Sequence, residues 1–180
     1  MKMCEASNRQ HGTCFLSLIP ATLYGPGDNL DAAGSHVVSG LMVRMLEAKL
    51  AKQPACTVWG TGRATREFLY VDDLADACVL LLTRPTVQVR MVLEATGGVV
   101  NVGSGEEIEI LALAQLIKQI VGYEGELILD PSKPDGAPRK VLDSRRMNAL
   151  GWSASTPLRV GLRQTYEWYV EHKREPISVA

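Results

Sequence analysis

A tryptophan and an arginine on either side of a glycine-opened turn suit a phosphorylated, ring-bearing ligand. The aromatic face stacks on a ring, and a guanidinium forks two donors onto phosphate oxygens. Such a set stands at Trp59-Gly60-Thr61-Gly62 with Arg66 four residues on. Its two glycines free the backbone to bend or to let a ligand approach. A second set lies upstream, where His36 and Arg44 fall in a segment of helical pattern. Eight residues of helix place them within about 80° of each other and roughly 12 Å apart along the axis, so both can line one groove. A histidine at a helix start faces the positive end of the dipole, which favours neutral imidazole, the form able to accept a proton. Plainer readings exist for both sets: a hairpin loop with a buried Trp59 and a salt-bridged Arg66, and a solvated polar His36.

Strands and helices must hold these side chains. Residues 56–58 form a β-type run closed by Trp59, and Arg66 leads into a second apolar run at 68–71. Asp72 or Asp73 can then cap a helix whose Leu74, Ala77, Cys78 and Leu81 keep helical spacing. Earlier in the chain, residues 1–10 have helical composition, Gly12 can end that helix, and residues 13–19 read as a buried strand stopped by Pro20. The chain is thus expected to begin inside a helix. Residues 23–29 (Leu-Tyr-Gly-Pro-Gly-Asp-Asn) form a loop on turn chemistry alone, a usual place for a ligand beyond a buried strand in α/β proteins. Ser35 can cap a helix over 36–52, with Val38, Leu41, Met42 and Met45 toward the core.

Beyond Pro85, residues 87–93 alternate too weakly to choose between strand and irregular linker. Residues 99–102 read as a strand followed by Gly103-Ser104-Gly105, and a helix is expected over 108–121. The third glycine of a dinucleotide loop would stand at 108, where this chain has Ile108. A short strand over 126–129 leads into a proline-stiffened loop, 130–140, that collects Lys133, Asp135, Arg139 and Lys140. Residues 143–150 read as a short helix ended by Gly151. Thr156-Pro157 opens a last helix with Leu158, Leu162, Tyr166, Tyr169 and Val170 inward, and the tail past Lys173 reads as unstructured.

The 180 residues fit one domain, and a hydrophobic share of 46% supplies a core. A net charge of -1 without a basic run argues against nucleic acid or a membrane surface, so small ligands are the better expectation. No apolar run approaches the roughly 20 residues that span a bilayer, and no secretory signal opens the chain, which leaves a cytoplasmic location as the expectation. Cys4, Cys14, Cys56 and Cys78 have no metal-type spacing and read as small hydrophobes, with neither disulfide nor zinc expected.

Residues 20–29, Ser35-His36-Val37, Arg44, Trp59-Gly60-Thr61-Gly62, residues 66–77, Asn101-Val102-Gly103, Lys133-Pro134-Asp135-Gly136 and Tyr166-Glu167-Trp168-Tyr169 together resemble the GDP-L-fucose synthase family. The run from Arg66 to Asp73 marks the wider extended short-chain dehydrogenase/reductases. The Ser-His-Val helix, the Trp-Gly-x-Gly loop and Lys-Pro-Asp-Gly in that order narrow it. The resemblance implies an α/β fold, a partial doubly wound Rossmann-type sheet plus a small α/β C-terminal substrate domain. It also implies an NADP-dependent enzyme that turns GDP-4-keto-6-deoxy-D-mannose into GDP-L-fucose by double epimerisation and reduction. His36 matches the catalytic acid/base residue and also a cofactor position. Arg44, Trp59, Arg66 and Asp135 match substrate-binding positions. Pro20, Ala21, Thr22 and Leu23 match a segment that lies against the cofactor, with Thr22 where the family motif has asparagine.

The family's glycine-rich NADP loop, catalytic serine, partner cysteine and Tyr-x-x-x-Lys pair have no counterpart in order here. Tyr169 and Lys173 spell the last motif by coincidence, on the terminal amphipathic helix. The resemblance therefore implies that residues 1–180 are the C-terminal portion of such an enzyme. NADP would be held through an N-terminal half, a GDP-sugar would be the partner molecule, and a homodimer is the family's assembly. The alternatives are a non-catalytic nucleotide-sugar-binding or regulatory fragment, or another nucleotide-sugar epimerase or dehydratase.

Overall fold

The computed structural model describes residues 1–29 and 35–172. In chain order the elements are α1 (Lys2–His11), β1 (Ser17–Pro20), β2 (Thr22–Tyr24), α2 (Val37–Leu50), β3 (Ala55–Trp59), β4 (Thr65–Tyr70), α3 (Val71–Thr83) and α4 (Thr86–Thr96). There follow β5 (Val99–Val102), β6 (Glu107–Glu109), α5 (Ile110–Val121), β7 (Glu126–Asp130), β8 (Arg139–Lys140), α6 (Arg145–Ala149) and α7 (Leu158–His172). They divide into two compact units. The first takes Met1–Leu23, Glu67–Glu106 and Val141–Ser155; the second takes Tyr24–Arg66, Glu107–Lys140 and the chain from Thr156.

In the first unit β1 runs parallel to β5, from Ser17 opposite Val99 to Pro20 opposite Val102. The next bond is Ala21 N–H to Val102 O, 2.9 Å. The core gathers Leu69, Ala77, Leu81, Val100, Val102, Met147 and Trp152, with Leu74 and Val92 packed against it. The spacing of Leu74, Ala77 and Leu81 turns one face of α3 into that core. Pro20 was expected to stop a strand over 13–19; it is instead the last residue of a shorter one whose residues are half-buried, and Phe15 before it is 50% exposed.

Three further expectations are corrected here. Neither Asp72 nor Asp73 caps α3, which starts at Val71 after Tyr70 with no side-chain cap. Both acids lie in its first turn, where they suit the dipole, but Asp73 is buried and accepts from the Ser155 N–H (3.2 Å) and hydroxyl (2.9 Å). The segment open between strand and linker is helix α4, closed by Gly97 at φ 62. Its half-buried Val89, Val92, Leu93 and Thr96 follow a 3-1-3 spacing, a helical face that the β-branched composition disguises. The helix expected over 143–150 is shorter, with Leu150 rather than Gly151 at its end.

A buried carboxylate ties the first unit's loops. Glu67 is 1% exposed, and its two oxygens accept the N–H groups of Gly105 and Leu142, each at 2.8 Å. Gly103 passes so close that a Cβ there would overlap the Glu67 carboxylate and stand 2.9 Å from Ser144 Oγ. That contact, not a dinucleotide, accounts for the first glycine of Gly103-Ser104-Gly105.

In the second unit β3 runs parallel to β7, with Trp59 opposite Asp130, and the start of β4 pairs with β8. Helix α2 is buried nearly all round: the expected Val38, Leu41, Met42 and Met45 are joined by Ser39, Gly40, Val43, Leu46 and Ala48. It packs on α5 and β3, and α5 packs on α7. Ser35 does not cap α2; His36 is its N-cap residue, without a side-chain bond to the helix backbone. Helix α5 begins at Ile110 rather than 108 because residues 107–109 are β6. Helix α7 buries Leu162 and Tyr169 as expected, while Leu158, Tyr166 and Val170 are half-buried. The tail past Lys173 lies outside the described residues, and no helix among those described is long and apolar enough to cross a membrane.

Candidate functional site

Helix α2 and strand β3 bring the first group of residues to one place in the second unit. A cavity of about 220 Å³ is lined by His36, Val37, Leu41, Arg44, Trp59 and Ile110, among others. The sequence expectation that His36 and Arg44 line one groove therefore holds, and Trp59 joins them. The tryptophan is the last residue of β3 and is 56% exposed, which replaces the buried ring of the plainer reading. The Arg44 guanidinium carbon stands 4.8 Å from the Trp59 ring centroid, a cation–π contact. Arg44 Nε is buried and has no hydrogen-bond partner among the described residues. A buried N–H without an acceptor is costly, so this donor is one that an anionic or carbonyl-bearing ligand would satisfy. Beneath it, burial pushes the Cys56 thiol above its ordinary range, and the Arg44 charge partly opposes that.

Arg66 and Asp135 form a second group, on the other side of the glycine turn. Thr61 donates its N–H and its hydroxyl to the two oxygens of Asp135, each at 2.7 Å. Gly60 (φ 84) must be glycine for a second reason besides its dihedral, since a Cβ there would overlap Asp135 Oδ1. Among the described residues Arg66 has no ion pair of the kind the plainer reading expected. It donates to three backbone carbonyls, those of Thr65 (2.8 Å), Ala137 (2.6 Å) and Asp135 (3.0 Å). Two of its five N–H groups thus hold the 135–137 loop and a third the neighbouring Thr65 carbonyl, which among the described residues leaves two for a ligand. The loop does not gather its charges as expected: Asp135 serves Thr61, and Arg139 pairs with Glu107.

The Thr61 hydroxyl, then its N–H, hold the Asp135 carboxyl below the 3.8 of an ordinary aspartate. A depressed acid stabilises the folded form above its unfolded value and loses that contribution as pH falls through the folded one. The Thr61 amide shift, followed by NMR, should accordingly titrate with a midpoint below 3.8 and stay flat above it. A midpoint at or above that value would show that the clamp is not formed in solution.

Pro20, Ala21, Thr22 and Leu23 belong to the first unit, and the other five site residues to the second. Of the four, Ala21 is buried and bonded to Val102. Two residues that the sequence did not single out carry much of the geometry. Thr61 is one; the other is Asp28, whose Oδ1 lies 3.3 Å from His36 Nδ1. Its only signal was a place in a Gly-Pro-Gly-Asp turn, which turn chemistry already explained.

Parallel strands joined by helices, with a ring, an arginine whose Nε is buried and a histidine around one cavity, make this an α/β protein with a polar, ligand-sized site. Residues 1–103 match the NAD dependent epimerase/dehydratase family, and the chain belongs to that family. Within it the chain is a GDP-L-fucose synthase homologue. It is 49% identical over 172 residues to GDP-L-fucose synthase 1 of Arabidopsis thaliana, an alignment covering 96% of this chain and 50% of the relative. It is 42% identical over 176 residues to the GDP-L-fucose synthase of Escherichia coli K12, covering 96% and 54%. Among solved structures, MlghC, a GDP-mannoheptose C4 reductase from Campylobacter jejuni with NADP bound, superposes with a TM-score of 0.79 at 31% identity, covering 94% of this chain and 54% of that one. The chain thus spans about half the length of the curated relatives it matches.

Proposed function

We propose that this chain carries the GDP-sugar-binding part of a GDP-L-fucose synthase, the C-terminal portion of an enzyme that acts on GDP-4-keto-6-deoxy-D-mannose. The observation that carries this reading is the convergence of His36, Arg44 and Trp59 on one cavity in the second unit. On this reading that unit is the substrate domain, and the first unit is part of a doubly wound Rossmann-type sheet. Arg44 offers its buried Nε–H to an anionic oxygen. Trp59 offers an open ring face, and Asp135 fixes the glycine turn beside it. The cavity matches a hexose ring or a diphosphate rather than a whole nucleotide sugar.

His36 is the acid/base residue of this proposal. Epimerisation beside a ketone removes a proton from carbon, leaves an enolate, and returns a proton to the opposite face. One imidazole nitrogen can accept or deliver that proton. NADPH, when bound, supplies hydride for the reduction. Against that cofactor the residues at 20–23 offer one buried alanine and backbone already paired with β5, and no donor set for a pyrophosphate. They fit the border of a dinucleotide and not its phosphates, so the hydride step is assigned to no residue of this chain.

Calorimetry of the 180-residue chain with GDP and with GDP-mannose, alongside UDP-glucose as a control, tests the binding part. The expected result is binding of both guanosine ligands, quenching of Trp59 fluorescence, and weaker binding of UDP-glucose. No heat and no quenching with either guanosine ligand would overturn the reading.

A further inference from the structure

We propose that Asp28 is a positioning residue for His36, fixing the imidazole with its proton on Nδ1 so that Nε2 is the nitrogen offered to a ligand. This rests on the reading of His36 as the acid/base residue and adds what makes one of its two nitrogens the working one. The turn that leads to Asp28 contains Gly25 (φ 150) and Gly27 (φ 84), and the Asp28 N–H donates back to Gly25 O at 3.3 Å. That turn brings a carboxylate to a histidine eight residues further on, with Asp28 Oδ1 at 3.3 Å from His36 Nδ1.

The aspartate is set into the protein, not solvated. Its side chain is 14% exposed, against 66% for His36. Oδ1 also accepts the Asn29 N–H at 2.8 Å, and Oδ2 is buried without a hydrogen-bond partner among the described residues. Among the described residues the carboxylate has few donors to choose from, which makes the imidazole N–H a valuable one. The histidine is fixed at its other end as well. Its carbonyl accepts the Gly40 N–H (2.8 Å) and the Ser39 hydroxyl (3.2 Å) at the start of α2.

An ionised carboxylate only accepts, so the bond to Nδ1 requires a proton there. Neutral imidazole has one N–H, and Nε2 must then carry the lone pair. Histidine in water favours the opposite arrangement, with the proton on Nε2, so the aspartate reverses the default. Among the described residues the other charged group lining that cavity is Arg44, a donor that cannot compete as an acceptor for either imidazole proton. Once Nε2 takes a proton from a ligand carbon, the charge that forms on the ring lies beside the Asp28 carboxylate.

The test reads the tautomer directly. The chain has three histidines, so long-range proton–nitrogen spectra of the histidine-labelled protein are simple, and the His36 signals are those lost in His36→Gln. At a pH where the ring is neutral, the expected spectrum shows His36 Nδ1 in the protonated range and Nε2 in the unprotonated range. In Asp28→Ala the two shifts should move toward each other or exchange, while the signals of His11 and His172 stay in place and report an intact fold. Identical His36 shifts with and without Asp28, or a wild-type ring already protonated on Nε2, would overturn the proposal. The GDP and GDP-mannose titrations above are independent of this readout. Failure there would strike the GDP-sugar reading and leave the tautomer result standing.

Discussion

Replacing Glu67 with alanine should lower the stability of the chain by about 1–3 kcal/mol, since it takes a buried carboxylate acceptor from the half-buried Leu142 N–H and from the N–H of exposed Gly105. The carboxylate is 1% exposed and accepts from Gly105 and Leu142. Those two bonds join β4 to the loop after β5 and to the segment that leads into α6. Glu67→Gln keeps the volume and one acceptor oxygen but turns its amide nitrogen toward an N–H. It should fall between wild type and alanine. Urea unfolding followed by circular dichroism gives the order directly. If alanine costs no more than glutamine, the two N–H groups have found other acceptors and the tie is not what holds these loops.

Glu67 also shows why part of this fold was legible and part was not. A glutamate inside an apolar run is normally taken to face solvent, since period-2 alternation alone gives it a polar side. Nothing in its neighbours announces that two backbone donors wait for it, because Gly105 and Leu142 lie far along the chain. Local signals did better. Gly12 ends its helix in the left-handed conformation, β3, β5 and β7 fall where apolar runs placed them, and α2 presents the predicted core residues. Helix α4 was lost to its valines, whose β preference outweighed a four-residue helical face.

The site divides along the same line. His36 and Arg44 could be joined by helical arithmetic because both belong to one stretch, and Trp59 could be added as the end of a strand. Partnerships that cross the chain could not be seen: Thr61 with Asp135, Arg66 with the carbonyls of 135 and 137, Asp28 with His36 across a glycine turn. In each of them a side chain is spent on backbone or on another polar group rather than left open for a ligand. The sequence gives the donor and acceptor inventory; how much of it remains free is a property of the fold.

Arg66 is where that distinction decides an experiment. Charge-assisted hydrogen bonds to phosphate are worth about 1.5–3 kcal/mol, so Arg66→Ala should weaken GDP binding by roughly ten- to a hundredfold. Two mechanisms would give such a loss. The two N–H groups not used on carbonyls can meet the diphosphate, or the two bonded to Ala137 O and Asp135 O can act only by holding the 135–137 loop, and through Asp135 the turn next to Trp59. Guanosine separates them because it has the base and the ribose but no phosphate. If Arg66 meets the diphosphate, the alanine variant binds guanosine as wild type does and loses its advantage for GDP; added salt should then weaken GDP binding less in the variant. If Arg66 only steadies the loop, both ligands weaken together. Arg66→Lys sharpens the comparison, since a lysine keeps the charge but lacks the planar fork that reaches several carbonyls at once. It should recover part of the GDP affinity under the first mechanism and little under the second. Unchanged GDP affinity in Arg66→Ala would remove this arginine from the binding site altogether.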